Sequence, residues 1–386
     1  MPTHQEWFCM KADRNNFKPQ VWRDRGLIFC HETEMQDTIL HSIRKRLSAG
    51  EPIKMMLFGD WGVGKTHAVN HIAWWLDQSE NNYPASALII ELSDVTRKSR
   101  FDTLVRPFLD ELGLDLLLKL AHSYQEKTGV HIVEGLKGRG VLPHVALAFS
   151  KLLLVMPGDT PPQHVMSTFE YLKGGALRNA SDIGLGQTLL SSNDFYSVLL
   201  AVGILYETAE NKKLVFVCDE AAKLEEIDRD DGSKQHWTAV NRMIFDDKND
   251  VFGFIYTMSG KSDRHLAKSL SDNQIRSRLG LANLIELRNL EENDVETFLS
   301  KLLESFIDQE KVNQLVESGE IGEGYDPSCY PFTRPAMDEF LSYWSQNGED
   351  AKPRDICDKL NDIGYVAITK GSRLIDEACL QDAGLL

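Results

Sequence analysis

Residues 57–76 read LFGDWGVGKTHAVNHIAWWL, and the eight from Gly59 to Thr66 decide how the rest is read. They fit the pattern G-x-x-x-x-G-K-[ST]. Glycines let successive backbone N–H groups curl around phosphate oxygens, a lysine neutralises the β/γ charge, and the following hydroxyl reaches a magnesium ion. The flanks suit this role. Met55–Phe58 is an apolar strand-like run, and Val69, Ile72, Ala73 and Leu76 recur with the spacing of one buried helix face. The expected nucleotide contacts are Gly59, Asp60, Trp61, Gly62, Val63, Gly64, Lys65, Thr66 and His67, with Thr66 also a metal ligand. A surface glycine turn is the alternative, and the strand and helix on either side weigh against it.

Further short apolar runs recur along the chain: Ala87–Leu92, Leu214–Cys218, Phe252–Met258 and Leu284–Leu287. Such runs suit strands buried on both faces, and helical patterns separate them, so the reading is an α/β layer structure around a parallel sheet. Before the loop, Met35, Ile39, Ile43 and Leu47 stand four apart and predict a helix that stops at Gly50. Residues from about 95 to 209 read mainly as helices, including FDTLVRPFLDELG with Leu104, Phe108 and Leu112 on one face, and DFYSVLLAVGILYETAE. That is too long for one crossover and predicts a helical insertion. Beyond about Leu290 the pattern is helical again, with an irregular stretch at GEIGEGYDPSCYPFTRP. The expected division is an N-terminal segment 1–30, a core 31–289 and a helical lid 290–386.

A hydrolysing nucleotide site needs a second acidic station. KKLVFVCDEAAKL supplies it, because the run Leu214–Cys218 delivers Asp219 and Glu220 at a strand's carboxyl end, where α/β sheets place ligands. Asp219 is the expected second metal ligand and Glu220 the group that orients and polarises the attacking water. The alternative is an ordinary solvated acidic turn, which the phosphate loop makes less favoured.

With these motifs in place the chain resembles the AAA+ ATPases. GDWGVGKT and LVFVCDE are similar to their Walker A and Walker B motifs, and three further stretches follow in the family's order. FGFIYTMSG resembles the sensor 1 strand, which implies that Thr257 or Ser259 contacts the γ-phosphate or the lytic water. NQIRSRLG resembles the end of the arginine-finger helix, which implies Arg278, or else Arg276, reaching a neighbouring subunit's nucleotide. AKPRDICDKL resembles sensor 2 in the lid and implies a phosphate contact for Arg354. Within the family, GLIFCHETEMQDTILHSI, the sensor 1 strand and RSRLG look most like origin-recognition-type initiators and their bacterial relatives in transposition and phage-defence operons. The resemblance implies a P-loop NTPase sheet with a lid, ATP and Mg2+ as cofactors, and a homo-oligomeric ring or filament. Two departures stand out: few residues follow Leu360, where initiators carry a winged helix, and the long insertion exceeds the minimal fold. The insertion is the expected seat of a protein partner.

The expected function is ATP hydrolysis driving a switch or motor that acts on DNA or a protein partner. A regulatory nucleotide-binding module with little turnover and no DNA contact is the alternative. A kinase is a third class, but it has no need of Arg278 or Arg354, and no acceptor-binding signature is visible. A formal net charge of −16 excludes wholesale coating of nucleic acid. Local basic stretches remain at IRKRL (43–47) and RKSR (97–100), the second placed just after a strand. No apolar run approaches the ~20 residues that span a bilayer, and MPTHQEWFCMKADRNN lacks a signal-like pattern, so a cytosolic chain without membrane association is expected. Six scattered cysteines with no C-x-x-C suit reduced core thiols. Cys30 beside His31 lacks a second ligand pair, DRDDGS (228–233) misses the glycine and glutamate positions of a calcium loop, and GLG (184–186) lacks a third glycine; none is read as a site.

Overall fold

Each apolar run of the sequence becomes a strand in a computed structural model of the chain, which describes all residues except 1, 22, 25, 27–33, 79–82, 93–94, 175–179, 186, 261–266, 323 and 347–350. Cys30, His31 and Gly186 therefore lie outside the described residues. The strands are β1 (Lys54–Gly59), β2 (Ala85–Glu91), β3 (Lys213–Asp219), β4 (Gly253–Ser259) and β5 (Leu284–Leu287). They form one sheet in the order β2-β3-β4-β1-β5, with β1–β4, β2–β3 and β3–β4 parallel. Register aligns the carboxyl ends: Gly59 lies opposite Ser259, and Glu91 opposite Asp219. β1 and β4 are buried almost throughout, which is why their sequences run apolar instead of alternating.

Five helices matter for the site: α1 (Lys65–Asp77), α2 (Ser192–Glu210), α3 (Asp231–Ile244), α4 (Asn273–Leu279) and α5 (Pro353–Lys370). Between β2 and β3 the helices Asp102–Leu112, Leu114–Thr128, Ile132–Gly138, Pro143–Leu152 and Gln163–Leu172 precede α2, so the insertion is helical as expected. In the first of them Leu104, Phe108 and Leu112 are buried together with Val105 and Leu109. The helix expected before β1 is instead a π-helical stretch, Glu34–Leu40, continued by an α-helix, His41–Ser48. It ends before Gly50, whose φ of 72° is the left-handed conformation that a chain leaving a helix often needs.

The chain's compact units do not follow chain order. Ile39–Gly59 and Ile72–Glu286 make a sheet-bearing unit. Its core gathers aromatic residues from the strands, with Phe216, Phe252 and Phe254 fully or almost fully buried, along with the apolar faces of the insertion helices. Met1–Thr38, Asp60–His71 and Leu287–Leu386 make the second unit. There Phe8, Met10 and Phe17 enter one core with Phe298, Phe340, Ile356 and Ile363. The N-terminal segment is tied to α5 by His4 Nε2 at 3.0 Å from the Asn361 carbonyl and by the Phe17 N–H donating to Asn361 Oδ1 at 2.8 Å. Gly364 permits this approach, since a Cβ there would stand 2.6 Å from His4 Nε2. Among the described residues no helix is long and apolar enough to cross a membrane.

Candidate nucleotide site

In the sheet-bearing unit, the polar end of β3 is organised by one hydroxyl. Thr257 is fully buried; its Oγ1 donates to Asp219 Oδ1 and accepts the Glu220 N–H at 3.1 Å. Asp219 is itself only 5% exposed, so this hydroxyl replaces solvent that the carboxylate has lost. Of the two residues expected on the β4 strand, the structure brings Thr257 to the acidic pair, while Ser259 lies opposite Gly59 at the strand's end. Glu220 takes φ 56° and ψ 33°, a left-handed turn that is uncommon for a residue with a Cβ and that ends the strand abruptly. Its half-exposed side chain pairs with Lys223 at 2.8 Å, and Lys223 also reaches Glu91 at 3.4 Å. The hydrogen bond that Lys223 donates to the Glu220 carboxylate is the main reason the Lys223 pKa is raised. Cys218, next to the pair, is buried, and burial pushes its thiol well above the ordinary range, which suits a core residue and not a nucleophile.

The two late arginines sit at the end of α4, as expected, before Gly280 with φ 74°. Arg278 donates to the Arg242 carbonyl at 2.8 Å and pairs with Asp246 at 3.1 Å, leaving its side chain about one-third exposed. Arg276 is half-buried on the same short helix. The start of α4 is pinned by Asp272, which accepts the Gln274 N–H at 3.0 Å and pairs with Arg242 at 2.9 Å. The Arg242 guanidinium is the first cause holding the Asp272 carboxyl below the usual carboxylate range. Asp228 and Asp230, the residues of the calcium-like stretch, are occupied structurally: Asp228 accepts the Ser269 N–H, and Asp230 caps α3 through the Ser233 N–H. Among the described residues no cluster of metal-ligating side chains occurs.

In the second unit, the phosphate loop has the backbone its glycines predict. Gly62 and Gly64 take φ of 89° and 95°, which residues with a Cβ rarely adopt, and α1 starts at once with the Ala68 N–H donating to the Gly64 carbonyl at 2.9 Å. Val63 is buried under the loop, His67 is almost buried, and Thr66 is exposed on the first turn of the helix. Lys65 Nζ donates to the Asp60 carbonyl at 2.7 Å. Residues at the start of α5 lie against the crown of this loop: Lys352 pairs with Asp60 at 2.9 Å, and the Arg354 guanidinium stacks 3.6 Å from the centre of the exposed Trp61 ring. Sequence reasoning placed Arg354 but missed Lys352 and Lys223. The only signal for Lys352 is its position just before Pro353, a residue suited to the first position of a helix.

The whole chain resembles solved structures at low identity. It covers 97% of its length on 71% of the Aeropyrum pernix ORC2 protein, solved in ADPNP–ADP complexes, with 13% identity and a TM-score of 0.51. This is an AAA+ P-loop fold. Weaker likenesses are to Aeropyrum pernix ORC1 in complex with DNA (11% identity, 94% and 67% of the two chains, TM-score 0.43) and to a Thermotoga maritima RuvB mutant (9%, 95% and 72%, TM-score 0.40). No protein-family model and no curated sequence matches the chain. The AAA+ fold is thus shown by structure, while its chemistry is argued from the residues above.

Proposed function

We propose that the chain binds ATP on residues 59–67 and hydrolyses it, working as a nucleotide-driven switch in a homo-oligomer that acts on DNA or a protein partner. The observation that carries this reading is the joining of Asp219, Thr257 and Glu220 at the sheet's carboxyl edge: a buried carboxylate fixed by a hydroxyl, followed by an exposed glutamate on a forced turn. A structural acidic turn needs no such arrangement. Lys65 neutralises the phosphates, Glu220 accepts a proton from the attacking water, and Thr257 positions both acidic residues. The Thr66 hydroxyl and the Asp219 carboxylate are each hard oxygen donors of the kind Mg2+ takes. Bound there, it would spread the charge of the β- and γ-phosphates. Arg354 at the start of α5 serves as a phosphate contact from the lid, and Arg278 serves the nucleotide of a neighbouring subunit.

Glu220→Gln tests hydrolysis: ATP binding is retained while turnover drops by about a hundred-fold or more, the range for loss of a general base. Equal turnover by the variant counts against the assignment. The shared site is tested by mixing Glu220→Gln with Arg278→Ala protein, each inactive alone; regained ATPase activity supports a finger supplied in trans, and none at any ratio refutes it. A second reading, a signalling module with little turnover, is favoured by the pairing of Glu220 with Lys223 and of Arg278 with Asp246. It expects a wild-type rate no higher than that of Glu220→Gln.

A further inference from the structure

One lysine of the sheet-bearing unit has no place in the hydrolytic reading. Lys54 opens β1, at the end of the strand opposite Gly59, and only 5% of it is exposed. Its ammonium donates to the Asp246 carbonyl at 2.6 Å and to the Asn249 carbonyl at 2.8 Å, and it forms no ion pair among the described residues. Burying an ammonium in this way is costly. Burial, then the Arg46 charge, pushes its pKa down to about 8, which Asp247, Asp246 and Asp250 offset only in part. A methionine of similar length would fill the same space without that cost. What the ammonium adds is a grip on two main-chain oxygens.

Those oxygens belong to the turn that follows α3, and the turn is closely tied. The Asp246 carbonyl also accepts the Asn249 N–H at 2.9 Å, and the Asn249 side chain, 2% exposed, donates to the Ile244 carbonyl at 2.9 Å and the Phe252 carbonyl at 3.3 Å. Asp246 Oδ1 accepts the Lys248 N–H at 3.0 Å, which leaves Oδ2 to meet Arg278 Nη2 at 3.1 Å. Nη1 of the same guanidinium donates to the Arg242 carbonyl at 2.8 Å, while the Arg242 side chain holds Asp272 at the start of α4. The short helix that carries Arg278 is thus held at both ends by the last turn of α3 and the residues after it.

A guanidinium carries five N–H donors in a fixed fork, so two holds orient Arg278 and still leave N–H groups for a phosphate. Its side chain is about one-third exposed, as such a use requires. We propose that Lys54 is a positioning residue for Arg278: by gripping the turn at Asp246 and Asn249 it sets where the guanidinium stands, and so governs hydrolysis at a neighbouring subunit's site and not at its own. The inference rests on the proposed role of Arg278 as a finger supplied in trans. It gives Asp246 the part of a guide for that finger, where a trap would withdraw it.

The test adds Lys54→Met to one or the other member of the mixed pair, in which Glu220→Gln protein donates the finger and Arg278→Ala protein accepts it. On the donor it lowers the regained ATPase rate by about ten-fold or more, since a misplacement of about 1 Å can cost about a hundred-fold. On the acceptor, which has no Arg278 to position, it changes the rate by less than about two-fold, and ATP affinity holds in both. Asp246→Asn keeps the carbonyl that Lys54 grips and repeats the donor-side loss without disturbing the buried ammonium. Equal losses from the two sides, the mark of a merely structural role, overturn the inference; so does a gain with Asp246→Asn, which would make Asp246 a trap. Hydrogen exchange on the single Lys54→Met variant gives a readout free of turnover: exchange quickens over 246–250 and 273–280 and stays as in wild type over 65–77. Unchanged exchange over 273–280 also overturns the inference. A pair that regains nothing before Lys54→Met is added refutes the shared site itself, and the trans role of Lys54 with it, whereas failure of the inference alone is seen only against a working pair.

Discussion

Toward the carboxyl ends of β3 and β4, Asp219 and Thr257 are buried and joined to each other and to the main chain, whereas around the phosphate loop the polar groups are half-exposed side chains meeting across a long sequence interval. Asp219 and Thr257 lie on paired strands whose register leaves no freedom, and Glu220 is fixed by its own backbone turn. Lys352 and Arg354, by contrast, reach Asp60 and Trp61 through flexible stems and partial exposure. Buried hydrogen bonds to a carboxylate cost about 1–3 kcal/mol when one partner is removed. Exposed ion pairs contribute about 0–1 kcal/mol. One region is therefore built to hold a geometry, while the other can exchange partners, as the proposed phosphate-binding role requires.

Removing the phosphate loop's cation breaks the comparison most severely. Lys65→Ala is expected to abolish ATP binding at millimolar nucleotide while leaving the melting temperature within a few degrees, because Lys65 lies at the half-buried start of α1, where its Nζ donates to the Asp60 carbonyl. A calorimetric titration checks it, and retained affinity would show that the loop does not bind phosphate.

The next effect belongs to the buried end. Thr257→Val keeps the shape and deletes the hydroxyl, so Asp219 and the Glu220 N–H each lose a partner. Stability is expected to drop by about 1–3 kcal/mol in urea unfolding. Turnover should drop by ten-fold or more, with Thr257→Ser restoring most of both. A turnover loss without a stability loss would mean that Thr257 touches the reacting groups without organising Asp219.

Much of this was legible in the sequence because burial on both faces writes strands as apolar runs: all five expected strands occur, with ends shifted by up to two residues. The phosphate loop was legible because its glycines are demanded by backbone conformation, as the φ of Gly62 and Gly64 shows. The choice between Thr257 and Ser259 was not. Residues two apart share a strand face, and only the β3–β4 register, with Cys218 opposite Tyr256, carries Asp219 to Thr257. Lys223, Lys352 and the pairing of Arg278 with Asp246 were hidden for a related reason: a single cation's partner is set by tertiary placement and leaves no local pattern. The π-helical start before β1 was hidden too, since apolar residues four apart mark a helix without fixing its hydrogen-bond period.

The smallest effects should come from the lid residues. Arg354 on the exposed Trp61 ring is a cation–π contact of about 0.5–1 kcal/mol, and Lys352 with Asp60 is a partly exposed pair worth no more. Trp61→Ala is therefore expected to change stability by under about 1 kcal/mol, while Arg354→Ala, which also removes the proposed phosphate contact, lowers turnover further than Trp61→Ala does. For the second pair, a double-mutant cycle of Lys352→Ala and Asp60→Ala read by unfolding should give a coupling below about 1 kcal/mol that shrinks as salt rises. A coupling as large as that of the buried end, and unchanged by salt, would mean that the lid is locked on the loop and would erase the contrast between the two regions.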